Sequence, residues 1–230
     1  VVLNKAFSFA SALGQKGKER FKKFACAHSF AEQYLQQVAL FNQEEQYALL
    51  GKKKEIYPSY QEKYFTDKKS TLLGECQRLD FKESMVDDLL MKLDKNAMTF
   101  AIEGRVPFID GRIMNLSMKL PDTYKMCGRN NKILLRSAVK DLLPKQTAQR
   151  KKRHFFVPID NWLTTELSSL KNQLLSKKFL DDQGIFKAKE VDKMVAGIKD
   201  SRLFYARQLW SLLVFQIWYQ QYINHEQIKL

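Results

Sequence analysis

A lysine and an arginine one helical turn apart are the residues best placed to bind an anion. Lys132 follows the polar turn Gly128-Arg129-Asn130-Asn131, and the apolar spacing after it predicts a helix that begins close to this lysine. Free backbone N–H groups and the helix dipole favour a negative ligand there, and a lysine adds a mobile charge for a phosphate or a developing oxyanion. Arg136 lies one turn further on the same face. The spacing alone leaves an alternative open, a solvated helix start with two like charges at i, i+4.

The segment EGRVPFID, residues 103–110, surrounds an apolar knot with charged residues. Pro107 restrains the preceding residue to an extended conformation, and we expect Phe108 and Ile109 to fill a core. A buried, hydrogen-bonded set of carboxylates and arginine can fix such a loop without taking part in catalysis. The segment is therefore predicted to be a structural loop whose charges pair with one another. These charged residues are Glu103, Arg105 and Asp110.

Common catalytic and phosphate-binding motifs do not occur in the chain: GxxxxGK[ST], GxGxxG, HExxH and GxSxG are all absent. If the protein handles a nucleotide, we expect its main phosphate cradle to lie outside these 230 residues. The cysteines and histidines are scattered and show no CxxC spacing, which predicts no metal site and no disulfide framework and fits a reducing cytoplasm. They are Cys26, Cys76, Cys127, His28, His154 and His225.

The elements that must position these residues are predicted to be helices, because the apolar spacing is helical almost throughout. Helices are expected over residues 86–101, stopped by Gly104, over 112–120, stopped by Pro121, and over 132–143, with Asn130 or Asn131 as the N-cap. An aromatic loop leads into a helix near Trp162. The remaining predicted helices cover about 166–178, 187–199 and 201–222. No strand is predicted, so the chain taken alone is mainly α.

The net charge of +14 is common among proteins that bind nucleic acid or phosphate-bearing ligands. Here the lysines and arginines are spread along the whole chain, and no zinc finger, RNP motif or leucine zipper accompanies them. This distribution argues against a nucleic-acid surface and favours a solvated surface or a pocket for a phosphate-bearing substrate. No apolar run approaches the roughly 20 residues that span a bilayer, so no membrane segment is expected.

Four segments in order resemble the asparagine synthetase family. The first, DDLLMKLDKNAMTFAIEGRVPFID, is similar to the family's helix that runs into EaRvPFlD. The second resembles the family's KxxLR region and consists of LPDTYKM followed by NKILLRSAVKDLLP. The third resembles the family's RxKxGFxxPxxxW block and reads RKKRHFFVPIDNWL, and the fourth resembles its terminal helix and reads ARQLWSLLVFQIWYQ. The resemblance covers roughly residues 85–222 and is weak before them. Two parts are therefore distinguished, residues 1–84 and 85–230, both helical.

The resemblance implies the helical C-terminal portion of an adenine-nucleotide α-hydrolase-like (ATP-pyrophosphatase) α/β domain whose parallel sheet lies upstream. It implies that ATP adenylates the side-chain carboxylate of aspartate, that pyrophosphate leaves, and that glutamine-derived ammonia converts the acyl-adenylate to asparagine and AMP. Lys132 falls on the family's lysine that stabilises charge on the transferring and leaving phosphates. Arg105, Arg136, Arg150 and Lys152 fall on other basic positions, whose implied roles divide between pyrophosphate or substrate contact and structural pairing.

Two modules of the family are missing from the chain, the glutaminase domain and the SGGxDS-bearing sheet that supplies most of the ATP site. We expect the chain to be a fragment of a longer protein or one half of a split enzyme, with these parts in cis or on a separate chain. Without them it should be inactive. The implied cofactors are ATP and Mg²⁺, bound mainly by the missing part. The implied localisation is cytoplasmic, and association of two copies stays open.

Three departures from the family pattern leave the exact carboxylate substrate open: Gly104 for alanine, Gly111 for histidine or lysine, and His154 for glycine. One alternative is a related ATP-dependent amide-forming enzyme, of the β-lactam synthetase or lasso-peptide cyclase type, acting on another carboxylic acid. The other is a non-catalytic basic helical module that binds RNA or a partner protein.

Overall fold

The structure is a computed structural model, and its described part is mainly helical. The described residues are 18–19, 21–23, 32–34, 38–52, 70–128, 130–148, 150, 157–200 and 202–226. Chain contacts divide the protein into two compact units: a first unit of residues 1–58 and 155–230, and a second unit of residues 59–154. The predicted division at residue 84 reflects where the resemblance becomes strong, and it stays a prediction.

The described elements before the C-terminal helices include five α-helices, a π-helical segment, a 3₁₀ turn and a hairpin. They are α1 (Gln43–Leu50), α2 (Leu72–Lys82), a π-helical segment (Ser84–Leu90), α3 (Met91–Met98), a 3₁₀ turn (Pro107–Ile109), α4 (Gly111–Lys119), α5 (Asp122–Lys125), β1 (Met126–Cys127) and β2 (Asn130–Asn131). The others are α6 (Ile133–Ala138), α7 (Lys145–Ala148), α8 (Ile159–Trp162), α9 (Ser168–Leu174), α10 (Lys177–Gln183), α11 (Ala188–Gly197) and α12 (Arg202–Tyr222).

The first unit is built around α12, whose predicted span of 201–222 is confirmed. Its leucines at 209, 212 and 213 are buried together with apolar residues of α9, α10 and α11. Apolar burial of this kind is the main favourable term in folding. The helix also buries three glutamines, which explains why its sequence is not purely apolar: Gln216, for example, exchanges two hydrogen bonds with Gln183, at 2.8 and 2.7 Å.

Helix α1 joins this core through both of its ends. Asn42 and Glu45 form a capping box, in which each side chain accepts from the other's backbone N–H, at 3.0 and 2.9 Å. Gly51, with φ of +64°, ends the helix in the left-handed conformation that glycine adopts without strain. Near that end, the Lys187 N–H donates to the Leu49 carbonyl at 2.7 Å, so α1 is fixed to the start of α11.

The first described helix of the second unit is α2, which side-chain hydrogen bonds connect to α5. The Thr71 hydroxyl accepts from the Gly74 N–H as the N-cap and donates to Asp122 at 3.0 Å. Lys125 donates to the Gln77 amide oxygen at 2.8 Å. These bonds hold the start of the β hairpin beside α2, because α5 leads directly into β1.

The helix predicted over residues 86–101 differs from the observed one in three respects. Its first part is π-helical, its α-helical part ends at Met98, and its predicted buried face is largely exposed. Gly104 is not the stop that the sequence suggested. The chain leaves the helix earlier, through Ala101 at φ of +55°. A Cβ on Gly104 would lie 2.9 Å from the Leu93 side chain, so this glycine instead permits close packing.

The prediction that the chain has no strand is wrong at one short hairpin. β1 and β2 pair antiparallel, with Met126 opposite Asn131, across a turn in which Gly128 has φ of +57°. Pairing with β1 takes both asparagines out of the predicted N-cap role. The predicted helix 112–120 is confirmed as α4, and the helix near Trp162 as α8.

Candidate functional site

Lys132 is the N-cap of α6 rather than a residue inside the helix. It has φ of +55° and ψ of +40°, a left-handed conformation that costs free energy in a residue with a Cβ. Its side chain is exposed, makes no capping hydrogen bond, and has no ion-pair partner among the described residues. The lysine charge is therefore available to an anionic ligand.

Helix α6 is much shorter than the predicted 132–143. It contains six residues and ends at Ala138; the carbonyl of the C-cap, Val139, then accepts from the N–H groups of Leu142 and Leu143, both at 3.1 Å. A helix this short has a weak dipole, because few peptide units are aligned. Attraction of an anion to this turn must therefore come mainly from side-chain charge.

Arg136 connects the turn before α6 to the segment after α7. Its Nε donates to the Asn131 carbonyl at 3.1 Å, its Nη1 to the Ala148 carbonyl at 2.7 Å, and its Nη2 to the Arg150 carbonyl at 3.0 Å. All three acceptors are neutral, so the positive charge of the guanidinium is not neutralised by these bonds. The sequence carries no signal for this arrangement, because its acceptors are backbone atoms.

The other predicted basic residues are less closely associated with the turn at Lys132. Arg150 is exposed, and its main chain lies beside Arg136. Arg105 is 82 % exposed and pairs with Glu103 at 3.1 Å. Lys152 lies outside the described residues, as does His154. The structure thus brings together the main-chain segments that carry Lys132, Arg136 and Arg150.

The loop of residues 103–110 is not the buried turn that the sequence suggested. Its Glu103–Arg105 pair is on the surface, and Phe108 is 70 % exposed instead of filling a core. Asp110 caps α4 by accepting from the Arg112 N–H at 3.0 Å. The Arg112 guanidinium, 3.0 Å away, lowers the pKa of the Asp110 carboxyl, with the backbone bond as a further cause.

Phe108 is one of many large apolar residues of the second unit that are exposed to solvent. Over half a dozen large apolar side chains from the π-helical segment to α4 have solvent access, in contrast with the leucines of the first unit. They include Val86, Leu89, Met98, Phe100, Ile102, Phe108, Ile113 and Leu116. Exposed apolar area of this extent is characteristic of a surface that packs against more protein.

A cavity of about 230 Å³ in the first unit is poorly suited to a polyphosphate. It is lined by three carboxylates, at Glu44, Glu45 and Glu190, and by one cation, Lys193, which pairs with Glu190 at 2.6 Å. Burial, with nearby carboxylates, raises the pKa of the Tyr205 hydroxyl on its wall. Its negative charge would repel phosphate groups.

Potential metal-ligating side chains do not form a large cluster within the described residues. Mg²⁺ requires oxygen ligands arranged nearly octahedrally, and in the described part of the chain no group of three or more His, Cys, Asp and Glu side chains could hold a metal ion. Cys76 and Cys127 are free thiols, and burial raises the pKa of Cys76.

Fold and site together define a helical protein part that presents cations around one turn and exposes a broad apolar surface. The family model for asparagine synthase matches residues 3–220, nearly the whole chain. The chain therefore belongs to the asparagine synthase family. The family assignment predicted from the four sequence segments is confirmed.

Individual relatives carry the same name. The chain is 31 % identical over 160 residues to asparagine synthetase [glutamine-hydrolyzing] 1 of Bacillus subtilis. The aligned region covers 68 % of this chain and 24 % of that protein. It is 27 % identical over 158 residues to a putative asparagine synthetase [glutamine-hydrolyzing] of Mycobacterium bovis, covering 66 % and 23 %. The chain thus spans about a quarter of the length of these relatives. No solved structure gives a significant match.

Within the described residues, none of the helices combines the length and the apolar character required to cross a bilayer.

Proposed function

We propose that the chain is the helical C-terminal part of the ATP-pyrophosphatase domain of an asparagine synthetase-like amide ligase. In the proposed reaction the aspartate side-chain carboxylate attacks the α-phosphorus of ATP, the α–β phosphoanhydride bond breaks, and pyrophosphate leaves. Ammonia derived from glutamine then attacks the acyl carbon of the β-aspartyl-adenylate. Loss of a proton and of AMP gives asparagine. The names of the relatives support this choice of substrates.

Lys132 is proposed to stabilise the negative charge that develops on the phosphates as pyrophosphate leaves. The single observation that carries the proposal is the placement of this lysine. Its exposed charge has no carboxylate partner among the described residues, and its turn is joined by Arg136 to the segment bearing Arg150. A fixed cation near a departing phosphate lowers the barrier by electrostatic stabilisation. Arg105, Arg150 and Lys152 are proposed as further pyrophosphate or substrate contacts.

The exposed apolar surface of the second unit supports the proposal that the chain works within a larger protein. We propose that the nucleotide-binding sheet of the family packs against this surface and supplies most of the ATP site. It would also supply ligands for Mg²⁺, which neutralises phosphate charge in this chemistry. A glutaminase domain, in cis or on another chain, is the proposed source of ammonia. A cytoplasmic location is proposed because the free cysteines fit a reducing compartment.

The test is ATP–pyrophosphate exchange by the complete protein that contains this chain. We expect exchange with aspartate, and formation of asparagine when ammonium or glutamine is added. Lys132→Ala should abolish exchange, whereas Lys140→Ala, which removes an exposed lysine just after α6, should retain it. If exchange occurs only with a different carboxylic acid, the protein is a related amide ligase. Unchanged exchange in Lys132→Ala would remove Lys132 from the site.

A separate assay addresses the non-catalytic interpretation. A basic binding module would bind RNA or a partner protein and would release no pyrophosphate with any carboxylate. Because Lys132, Arg136 and the main chain of Arg150 meet at one turn, we expect saturable, magnesium-dependent ATP binding by the complete protein. Tight RNA binding without ATP turnover would contradict the proposed function.

A further inference from the structure

Arg136 differs from the other basic residues of the site in what it binds. Three of its N–H groups are already engaged by carbonyl oxygens, at Asn131, Ala148 and Arg150. Arginine has five N–H donors in a planar fork, so one hydrogen remains on each terminal nitrogen. A guanidinium bound in this way has little freedom to move toward a ligand. Its main effect is to hold the main-chain segments whose carbonyl groups it binds.

The bonds made by Arg136 join two segments that are distant in sequence. Asn131 directly precedes Lys132, whereas Arg150 begins the basic run of residues 150–153. The two main chains therefore lie within hydrogen-bond distance of one guanidinium. Bonds from a charged donor are stronger than bonds between neutral groups, and the bond from Arg136 to Ala148 is partly buried.

We infer that Arg136 is a positioning residue for a polyphosphate ligand: its guanidinium holds the Lys132 turn and the Arg150 segment together, so that both can bind one pyrophosphate group. The inference rests on the proposed function, because it takes the ligand of Lys132 to be the phosphates of ATP. It assigns Arg136 a bracing role instead of the direct pyrophosphate contact that its position in the family motif suggested.

The substitution Arg136→Lys distinguishes the contribution of the positive charge from that of the hydrogen-bond geometry. An ammonium group keeps the positive charge, but its three donors radiate from one nitrogen and cannot reproduce the planar fork. Three separate carbonyls would then not be held at once. A residue that contributed only charge would tolerate lysine, whereas a residue that positions two segments would not.

The kinetic test compares Arg136→Lys and Arg136→Ala in the complete protein with Arg207→Lys, a change at an exposed arginine of α12. We expect both position-136 variants to raise the KM for ATP and weaken pyrophosphate inhibition by about 10- to 100-fold, as misplaced binding groups do. The KM for aspartate should change little. Added methylguanidinium should partly restore Arg136→Ala. Partial unfolding would instead reduce kcat without changing the KM for ATP.

Two kinetic outcomes would overturn the inference. In the first, Arg136→Lys retains wild-type values for ATP and pyrophosphate, which would make charge alone sufficient. In the second, Arg136→Ala leaves the KM for ATP unchanged, which would remove Arg136 from the phosphate site.

A second measurement does not depend on activity. Trypsin cuts after lysine and arginine, so the rate of cleavage within residues 150–153 of the folded protein, followed by mass spectrometry, reports whether this segment is held. We expect faster cleavage in both position-136 variants than in the wild type or Arg207→Lys, and equal rates would overturn the inference. If the complete protein shows no ATP–pyrophosphate exchange, the proposed function fails and cleavage alone decides the role of Arg136.

Discussion

Arg136 donates a hydrogen bond from Nη2 to the backbone carbonyl of Arg150, at 3.0 Å. Two arginines fourteen positions apart are thus brought together although their side chains repel each other. The contact is favourable because the acceptor is a carbonyl dipole and not the second guanidinium. It leaves both positive charges in place, which suits a site for a multiply charged anion.

Lys132→Gly is expected to make α6 more stable and the complete enzyme inactive. Glycine adopts the observed φ of +55° without the strain that a Cβ causes. The free energy of opening α6 should rise by up to about 1 kcal/mol, because relief of strain is partly offset by the larger entropy of unfolded glycine. Amide hydrogen exchange of α6 measures the first effect, and pyrophosphate release measures the second.

Ala101→Gly is the matched control, because Ala101 also has φ of +55° but carries no charge. It should stabilise its turn in the same way and retain activity. Faster exchange of α6 in Lys132→Gly, or full activity in that variant, would contradict the interpretation of this lysine as a strained residue with a catalytic charge.

Asp110→Asn should weaken the start of α4 in a pH-dependent manner. The Arg112 hydrogen bonds lower the pKa of the Asp110 carboxyl in the folded state. Its stabilising contribution is therefore present above the pKa of the unfolded chain and is lost as the pH falls through the lowered pKa of the folded state. Hydrogen exchange of α4 in wild type and variant should differ at neutral pH and converge in acid. A constant difference across this range would exclude the ion pair as its cause.

Glu103→Gln is the surface control for that experiment. The Glu103–Arg105 pair is exposed on both sides, and such pairs contribute little because water and salt screen them. Its removal should leave the exchange of α4 unchanged. A large effect would show that this loop is covered by other parts of the complete protein.

Gln216→Ala should destabilise the first unit by about 1–3 kcal/mol, because the partly buried Gln183 amide loses both of its hydrogen bonds to Gln216. Gln216 is fully buried. Replacing both glutamines by leucine should recover much of this loss, since no unpaired polar group is left. Denaturant unfolding followed by tryptophan fluorescence is suitable, as Trp162, Trp210 and Trp218 all lie in this unit. Additive losses in the double-mutant cycle would contradict a reciprocal bond.

Gly197→Ala should destabilise the first unit, although alanine is the better helix former. A Cβ at position 197 would lie 2.5 Å from the Tyr205 ring, so the ring or the end of α11 must move, at a cost of about 1–3 kcal/mol. Gly111→Ala is the control, because a Cβ there meets nothing within 4 Å, and it should be neutral or stabilising. Equal effects of the two substitutions on thermal unfolding would show that Tyr205 does not restrict position 197.

Helices with a clear apolar period and a strong stop were predicted well. α4 ends before Pro121 as expected, and α12 follows its predicted span, because both depend on local spacing and on backbone restrictions within the segment itself. α6 was predicted too long since its apolar period continues past Val139, where the chain instead forms turns. Periodicity describes which side chains could share a face, but it does not show whether that face is covered.

The candidate site was predicted in its residue types and not in its bonding. Lys132 was selected from its place after a polar turn and from the resemblance of its segment to the family's KxxLR region, and its role stays a proposal. The left-handed backbone of Lys132, the hairpin that holds its turn, and the carbonyl acceptors of Arg136 had no sequence signal. Interactions with backbone atoms are poorly encoded locally, because every residue offers the same carbonyl group.

The sequence by itself determined the family, the helical class and the basic character of the site, because motif order, apolar period and formal charge are properties of the chain alone. Only the tertiary structure decided which charges are paired, which apolar residues are buried, and which segments meet at Arg136. Those properties depend on contacts between segments far apart in sequence. The loop of residues 103–110 illustrates the difference. Its residue types identify the family, yet its exposure depends on which parts of the protein pack against it.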